Sequence, residues 1–140
     1  MKIMIKDELL KRIAARNVRI GVIGLGYVGL PLAVEKAKAG FKTTGFDVQQ
    51  KKVDMVNQGI NYIGDVVQED LAGLVKSGML RATSDFSFVG ECDFIAICVP
   101  TPLDEHQQPD ISYVRDSVIE ISKYLKKDSI VVLESTTYPG

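Results

Sequence analysis

The chain has 140 residues, of which 46% are apolar and 25% charged, and its formal net charge is −1. That length suits one domain with a buried core, and the composition is that of an ordinary soluble globular protein. The charge leaves no electrostatic footprint for nucleic acid or a membrane surface. No apolar run is long enough to span a bilayer and no signal-peptide pattern opens the chain, so the expected compartment is the cytoplasm.

In chain order, Asp7–Arg16 reads as a short amphipathic helix, with Leu9, Leu10, Ile13 and Ala14 on one face and Asp7 as a cap or first-turn acid. It precedes the first strand and is expected to pack beside the sheet. The stretch Arg19–Pro31, RIGVIGLGYVGLP, then runs from an apolar strand (Ile20, Val22, Ile23) through three glycines into a helix. Gly24, Gly26 and Gly29 have the G-x-G-x-x-G spacing of a dinucleotide site. The first permits a tight turn, the second lets a pyrophosphate approach the backbone, and the third lets helix and strand pack closely. The helix that follows aims unpaired N–H groups and its positive end at the phosphates, and Pro31 falls in its first turn, where a missing N–H does no harm. Tyr27 follows the second glycine, where it either touches a ligand through its backbone or packs its ring at the helix start.

Gly40 is expected to end this helix, and Phe41–Phe46 to restart as a strand. That strand delivers Asp47 about 18 residues beyond the last glycine, near the distance expected of a ribose-binding acid. A carboxylate there accepts hydrogen bonds from ribose hydroxyls and repels a 2′-phosphate, which favours NAD over NADP. A polar helix over Gln49–Gln58, with Val53 and Val56 facing inward, closes at Gly59. After the loop Asn61-Tyr-Ile-Gly-Asp comes a helix over Val67–Lys76, ending at Gly78. Leu80–Thr83 is expected to be a short strand and Asp85–Val89 a connecting turn or helix.

Asp93–Val99 is nearly all apolar without alternation, the pattern of a strand covered on both faces. Cys92 precedes it and Cys98 lies near its end, roughly 20 Å apart, too far for a disulfide; zinc spacing is absent, and Cys98 is expected to behave as a buried small hydrophobe. The proline-rich loop Pro100–Pro109 follows. Ser112 or Asp110 is expected to cap a helix in which Val114, Val118, Ile121 and Leu125 recur at helical spacing, and Ile130–Leu133 is the last strand. Alternating strands and helices point to an α/β fold, a Rossmann-type doubly wound parallel sheet with helices on both faces and an extra N-terminal helix.

Ligands of such sheets lie beyond the carboxyl ends of the strands. Thr101 and Thr136 stand at strand ends on that side, placed either to reach ribose, phosphate or water or to serve as turn and cap residues. His106, the single histidine, reads as a solvated loop residue ahead of an acid–base group. Asp104, Glu105 and Asp110 read as loop and cap residues, and no metal site is expected.

Gly24-Leu-Gly-Tyr-Val-Gly-Leu-Pro, Gly45-Phe-Asp, Cys98-Val-Pro-Thr-Pro and Glu134-Ser-Thr-Thr-Tyr-Pro-Gly together resemble the UDP-glucose/GDP-mannose dehydrogenase family over nearly the whole chain. The leading helix, Asn61-Tyr-Ile-Gly-Asp and Pro102-Leu-Asp-Glu-His look most like the branch acting on UDP-N-acetylglucosamine or UDP-N-acetylmannosamine. The resemblance implies two-step oxidation of the sugar's primary alcohol to a uronic acid with two NAD⁺, through an aldehyde captured by a cysteine as a thiohemiacetal and then a thioester released by water. It implies that Gly24, Gly26, Tyr27, Val28 and Gly29 hold the pyrophosphate, that Asp47 binds the adenosine ribose with Lys52 as a nearby basic position, that Thr101 lines the nicotinamide half, and that Thr136 lies beside the nicotinamide and helps position the catalytic water.

Family members are longer, with a helical dimerisation segment and a nucleotide-sugar domain that supply the catalytic cysteine, lysine and asparagine. Neither Cys92 nor Cys98 matches that nucleophile. Residues 1–140 are therefore expected to be the NAD-binding N-terminal domain of a longer, homo-oligomeric enzyme, inactive on its own. The alternatives are a UDP-glucose 6-dehydrogenase, a β-hydroxyacid dehydrogenase, or a non-catalytic NAD-sensing module.

Overall fold

The computed structural model describes residues 10–11, 13–15, 17–100, 105–108 and 110–134. Five strands form one parallel sheet: β1 (Ile20–Ile23), β2 (Thr43–Phe46), β3 (Leu80–Thr83), β4 (Phe94–Ile97) and β5 (Ile130–Leu133), in the spatial order β3-β2-β1-β4-β5. The helices are α1 (Gly29–Lys38), α2 (Gln50–Asn57), α3 (Gln68–Lys76) and α4 (Ser112–Ser122), with a 3₁₀ turn over Phe86–Glu91 before β4. The chain winds outward from β1 in one direction and then, after β3, crosses back to continue from β1 in the other. β1 therefore stands at the switch point, where a crevice opens between neighbouring connections.

The register brings the carboxyl ends of the strands level: Ile23 lies beside Phe46 and Ile97, Phe46 beside Thr83, and Ile97 beside Leu133. Alternation along β1 splits the core into two layers. Val22 joins Leu25, Leu30, Ala33, Val53, Val56 and Leu71 under α1, α2 and α3. Ile23 joins Phe46, Val89, Ile95, Ile97 and Ile121 on the opposite face, beneath the 3₁₀ turn and α4. The first three helices each stop where a glycine takes up positive φ just past the C-cap, at Gly40, Gly59 and Gly78, as the sequence predicts.

Two expectations need correction. The helix after Pro109 starts at Ser112, but neither Ser112 nor Asp110 is its N-cap; Ile111 holds that position without a side-chain bond, and Asp110 accepts the Ser112 amide at 2.9 Å from just outside. Of its four apolar positions Ile121 is buried, whereas Val118 is 45% and Leu125 36% exposed, because the second layer stops short of β5, whose Val131 and Leu133 are also exposed. In the leading segment Leu10, Lys11, Ile13 and Ala14 are helical, but Leu10 and Ala14 are exposed and none joins either apolar layer. Asp7, Leu9 and Arg16 lie outside the described residues. Among the described residues no helix is long and apolar enough to cross a membrane.

Candidate dinucleotide site

The site grows from the corner where β1 turns into α1. The Gly24 amide donates to the Phe46 carbonyl at 2.7 Å, and the Cys98 amide to that of Ile23 at 2.7 Å, so the corner is tied to both neighbouring strands. Each glycine does a different job. Gly24 has φ of +95°, and a Cβ there would press on the Cys98 carbonyl at 3.0 Å. Gly29 sits so tightly on the turn that a Cβ would fall 1.6 Å from the Gly24 oxygen. At Gly26 a Cβ would meet nothing within 4 Å among the described residues, so its bareness serves no contact with them. What it leaves open is the floor of a cleft.

That cleft, about 850 Å³, lies over the carboxyl ends of β1, β2 and β4. Gly26, Tyr27 and Val28 line it, and their amides have no hydrogen-bond partner among the described residues. The first turn of α1 carries no acidic side chain, whereas Lys36 and Lys38 stand in its last turn. The helix's own first turn therefore sets no carboxylate against an anion at its positive end. The Tyr27 ring is 73% exposed, so packing at the helix start is not its role.

Asp47, at the end of β2, is buried at the edge of the same cleft. Its Oδ2 accepts the Leu25 amide and its Oδ1 the Gln49 amide, both at 2.8 Å. An ionised carboxylate has about four lone-pair sites. Two remain for a diol, while the backbone bonds hold the group in one orientation. Lys52, on α2, borders the cleft beside it, and the far wall is made by Val99, Pro100 and, from α4, Tyr113, Asp116 and Ser117.

Gly24, Gly26, Tyr27, Val28, Asp47 and Lys52 are thus brought around one cleft, with Gly29 packed directly behind it. Thr101 and Thr136 lie outside the described residues, as do Asp104 and most of the Glu134-Ser-Thr-Thr-Tyr-Pro-Gly motif. Cys92 and Cys98 are free and buried. Burial, reinforced by Glu91 and Asp93, pushes the Cys92 thiol up to about 11; burial, with Glu134, does the same at Cys98. Both are the opposite of an activated nucleophile. His106 is exposed beside Glu105 in its loop, outside the cleft lining.

Two residues that sequence reasoning met only inside motifs have roles it did not assign. Gly45 is the seat of Leu25, whose Cδ2 would lie 2.6 Å from a Cβ there. Tyr62 donates its hydroxyl to the Leu25 carbonyl at 2.6 Å across 37 residues of sequence. Gly45 had a visible signal, a glycine inside a strand; nothing in the motif around Tyr62 pointed to its partner.

Residues 18–140 match the model of the UDP-glucose/GDP-mannose dehydrogenase family, NAD binding domain. The chain is 40% identical over 125 residues to the UDP-N-acetyl-D-glucosamine 6-dehydrogenase of Pseudomonas aeruginosa, an alignment covering 89% of this chain and 29% of that protein. It is 41% identical over 125 residues to the UDP-N-acetyl-D-mannosamine dehydrogenase of Escherichia coli strain K12, covering 86% of this chain and 28% of the relative. Among solved structures, a ternary complex of GDP-mannose dehydrogenase from Pseudomonas aeruginosa superposes with a TM-score of 0.80 at 32% identity, over 87% of this chain and 29% of that one. The chain thus spans under a third of the length of these relatives.

Proposed function

We propose, on the premise that this chain belongs to the UDP-glucose/GDP-mannose dehydrogenase family and carries its NAD-binding domain, that it is the cofactor-holding part of a longer nucleotide-sugar 6-dehydrogenase. The substrate we assign is a UDP-N-acetylhexosamine, UDP-N-acetylglucosamine or UDP-N-acetylmannosamine, in keeping with the relatives at about 40% identity. The product is the corresponding uronic acid. The domain that grips the sugar, the catalytic cysteine and lysine, and the homo-oligomer contact belong to the rest of that enzyme, which works in the cytoplasm.

The observation that carries this reading is the pairing of three amides at Gly26, Tyr27 and Val28, without a partner among the described residues, with the oriented carboxylate of Asp47 across one cleft. The amides and the α1 dipole would take the diphosphate, and Asp47 would take the adenosine ribose, with Lys52 beside it. A 2′-phosphate would bring about two negative charges against Asp47, so NAD is favoured over NADP. Bound there, NAD⁺ supplies the hydride acceptor for alcohol oxidation. The pyrophosphate role extends to Gly24 and Gly29 as the turn and the packing behind it. To Thr101 we assign the nicotinamide half, and to Thr136 a place beside the nicotinamide that orients the water releasing the acid.

Calorimetric titration of the 140-residue chain with NAD⁺, NADP⁺ and UDP-N-acetylglucosamine tests the reading. Heat is expected with NAD⁺ alone. Equal or tighter NADP⁺ binding would overturn the role of Asp47, and uronate formation by the chain itself would overturn the division of labour between domains.

A further inference from the structure

We propose that Tyr62 is a positioning residue for the diphosphate, setting the direction of the Gly26 N–H by holding the carbonyl in front of it. The proposal rests on the cofactor reading above and adds to it a residue outside the cleft lining.

Leu25 is anchored at three points. Its side chain is fully buried against Gly45, its amide donates to Asp47, and its carbonyl accepts from Tyr62. Only the last of these fixes the peptide between Leu25 and Gly26. That peptide is planar and trans, so its C=O and N–H point in opposite directions. Holding the oxygen toward Tyr62 sends the Gly26 N–H away from Tyr62, which is itself outside the lining of the cleft that Gly26 borders.

Nothing in Gly26 itself enforces that orientation. A glycine accepts either sign of φ, so the peptide before it can turn over at little steric cost. Turned over, the Leu25 carbonyl would replace the Gly26 N–H as the group facing a diphosphate, an acceptor set against an anion. The feature that lets a diphosphate approach closely is thus the one that leaves the donor unaimed, and Tyr62 removes that freedom.

The loop carrying Tyr62 is built to hold it still. The Asn61 side chain accepts the Ile63 amide at 2.9 Å and donates to the carbonyls of Ile63 and Val66 at 2.9 and 2.6 Å. The Asn61 amide donates to Gln68 Oε1 at 2.8 Å, and Gln68 Nε2 closes the loop on the Gly59 carbonyl. Just upstream, Asn57 exchanges two hydrogen bonds with the backbone of Ala82, pinning the end of α2 to β3. Burial, and next the charge of Asp47, push the Tyr62 phenol well above its ordinary range, which keeps its hydroxyl a donor at neutral pH.

Tyr62→Phe keeps the ring and removes only the hydroxyl. In ¹⁵N-labelled 140-residue chain without ligand, the Gly26 amide resonance should move, because its peptide loses the bond that polarised it. Titrated with NAD⁺ or ADP, the variant should show a Kd raised about tenfold, the size expected for one oriented hydrogen bond to a charged group. Binding of adenosine, which lacks a diphosphate, should change less than about twofold by the same reasoning. Asn61→Ala, which loosens the loop and leaves the hydroxyl, should shift the same affinities in the same order and carries the test should Tyr62→Phe not fold. Wild-type affinity for ADP in a folded Tyr62→Phe overturns the proposal, as does equal weakening toward ADP and adenosine, the mark of a purely structural residue. Failure of the unaltered chain to bind NAD⁺ or ADP would instead remove the cofactor reading itself.

Discussion

Gly26→Ala and Gly29→Ala add the same methyl group three residues apart and should fail in opposite ways. At position 26 the new Cβ meets no heavy atom of the described residues within 4 Å, and the backbone there is not in the left-handed region. The fold should be unharmed, and a Gly→Ala change at a compatible position can even add about 0.4–1 kcal/mol by restricting the unfolded chain. The methyl instead occupies space at the floor of the cleft, in front of the three open amides. A diphosphate pushed outward forfeits at least one hydrogen bond to a charged group, worth about 1.5–3 kcal/mol, so the Kd for NAD⁺ should rise roughly ten- to hundredfold.

At position 29 the new Cβ would fall 1.6 Å from the Gly24 oxygen and 2.8 Å from its carbon. Both are backbone atoms of a turn that is itself held by the Phe46 carbonyl, so neither can swing aside as a side-chain tip would. Overpacking of a flexible core costs about 1–3 kcal/mol; here the cost should exceed about 3 kcal/mol, a fall in Tm of about 10 °C or more for a chain of this size. Thermal unfolding paired with NAD⁺ calorimetry separates the two. A Gly26→Ala chain that unfolds early, or one that binds NAD⁺ like the parent, would refute the assignment of open cleft space to that glycine. A Gly29→Ala chain of normal stability would refute the packing role.

Two further outcomes follow from charge and burial. Cys92 and Cys98 have thiols raised from an ordinary value near 9 to about 11, chiefly by burial; the native state therefore holds its protons more tightly than the unfolded one, and the stability each contributes is intact below about pH 9 and lost as pH rises toward about 11, by about 2 kcal/mol for each thiol. Urea titrations under reducing conditions should show that decline, flattened when both are replaced by alanine, and reaction of the native thiols with Ellman's reagent at pH 8 as fast as free cysteine would contradict it. At the opposite end of the sheet, buried Asp93 accepts the Arg19 amide at 2.9 Å and the Lys126 ammonium at 2.5 Å, tying β1 to the start of β5. Asp93→Ala should cost about 2–4 kcal/mol, because it strands a backbone donor as well as breaking the pair. Lys126 is 38% exposed, so Lys126→Ala should cost about 1 kcal/mol once solvent screening is counted; equal losses in urea unfolding would refute that asymmetry.

What could be read from the residues alone is what local chemistry decides. The three loop glycines, the helix-ending Gly40, Gly59 and Gly78, and Asp47 at the end of β2 each carry a signal within a few positions of where they act, and each stands where that signal places it. The burial of α4 was not legible for a different reason. Its apolar spacing is helical, but spacing says which face is apolar and nothing about whether another layer lies across from it, and among the described residues none covers Val118 or Leu125. Tyr62 is the harder case. A tyrosine between an asparagine and an isoleucine in a loop reads only as a large side chain, because its partner is a backbone carbonyl 37 residues earlier. The Asn61 and Gln68 bonds that aim it are ordinary turn chemistry by themselves. Only after β1, α2 and α3 are packed does that turn chemistry point a hydroxyl at the one peptide whose direction the following glycine leaves undecided. The site's donors are therefore written in the glycine loop, while their aim is written in a loop between α2 and α3, and the fold is what joins the two.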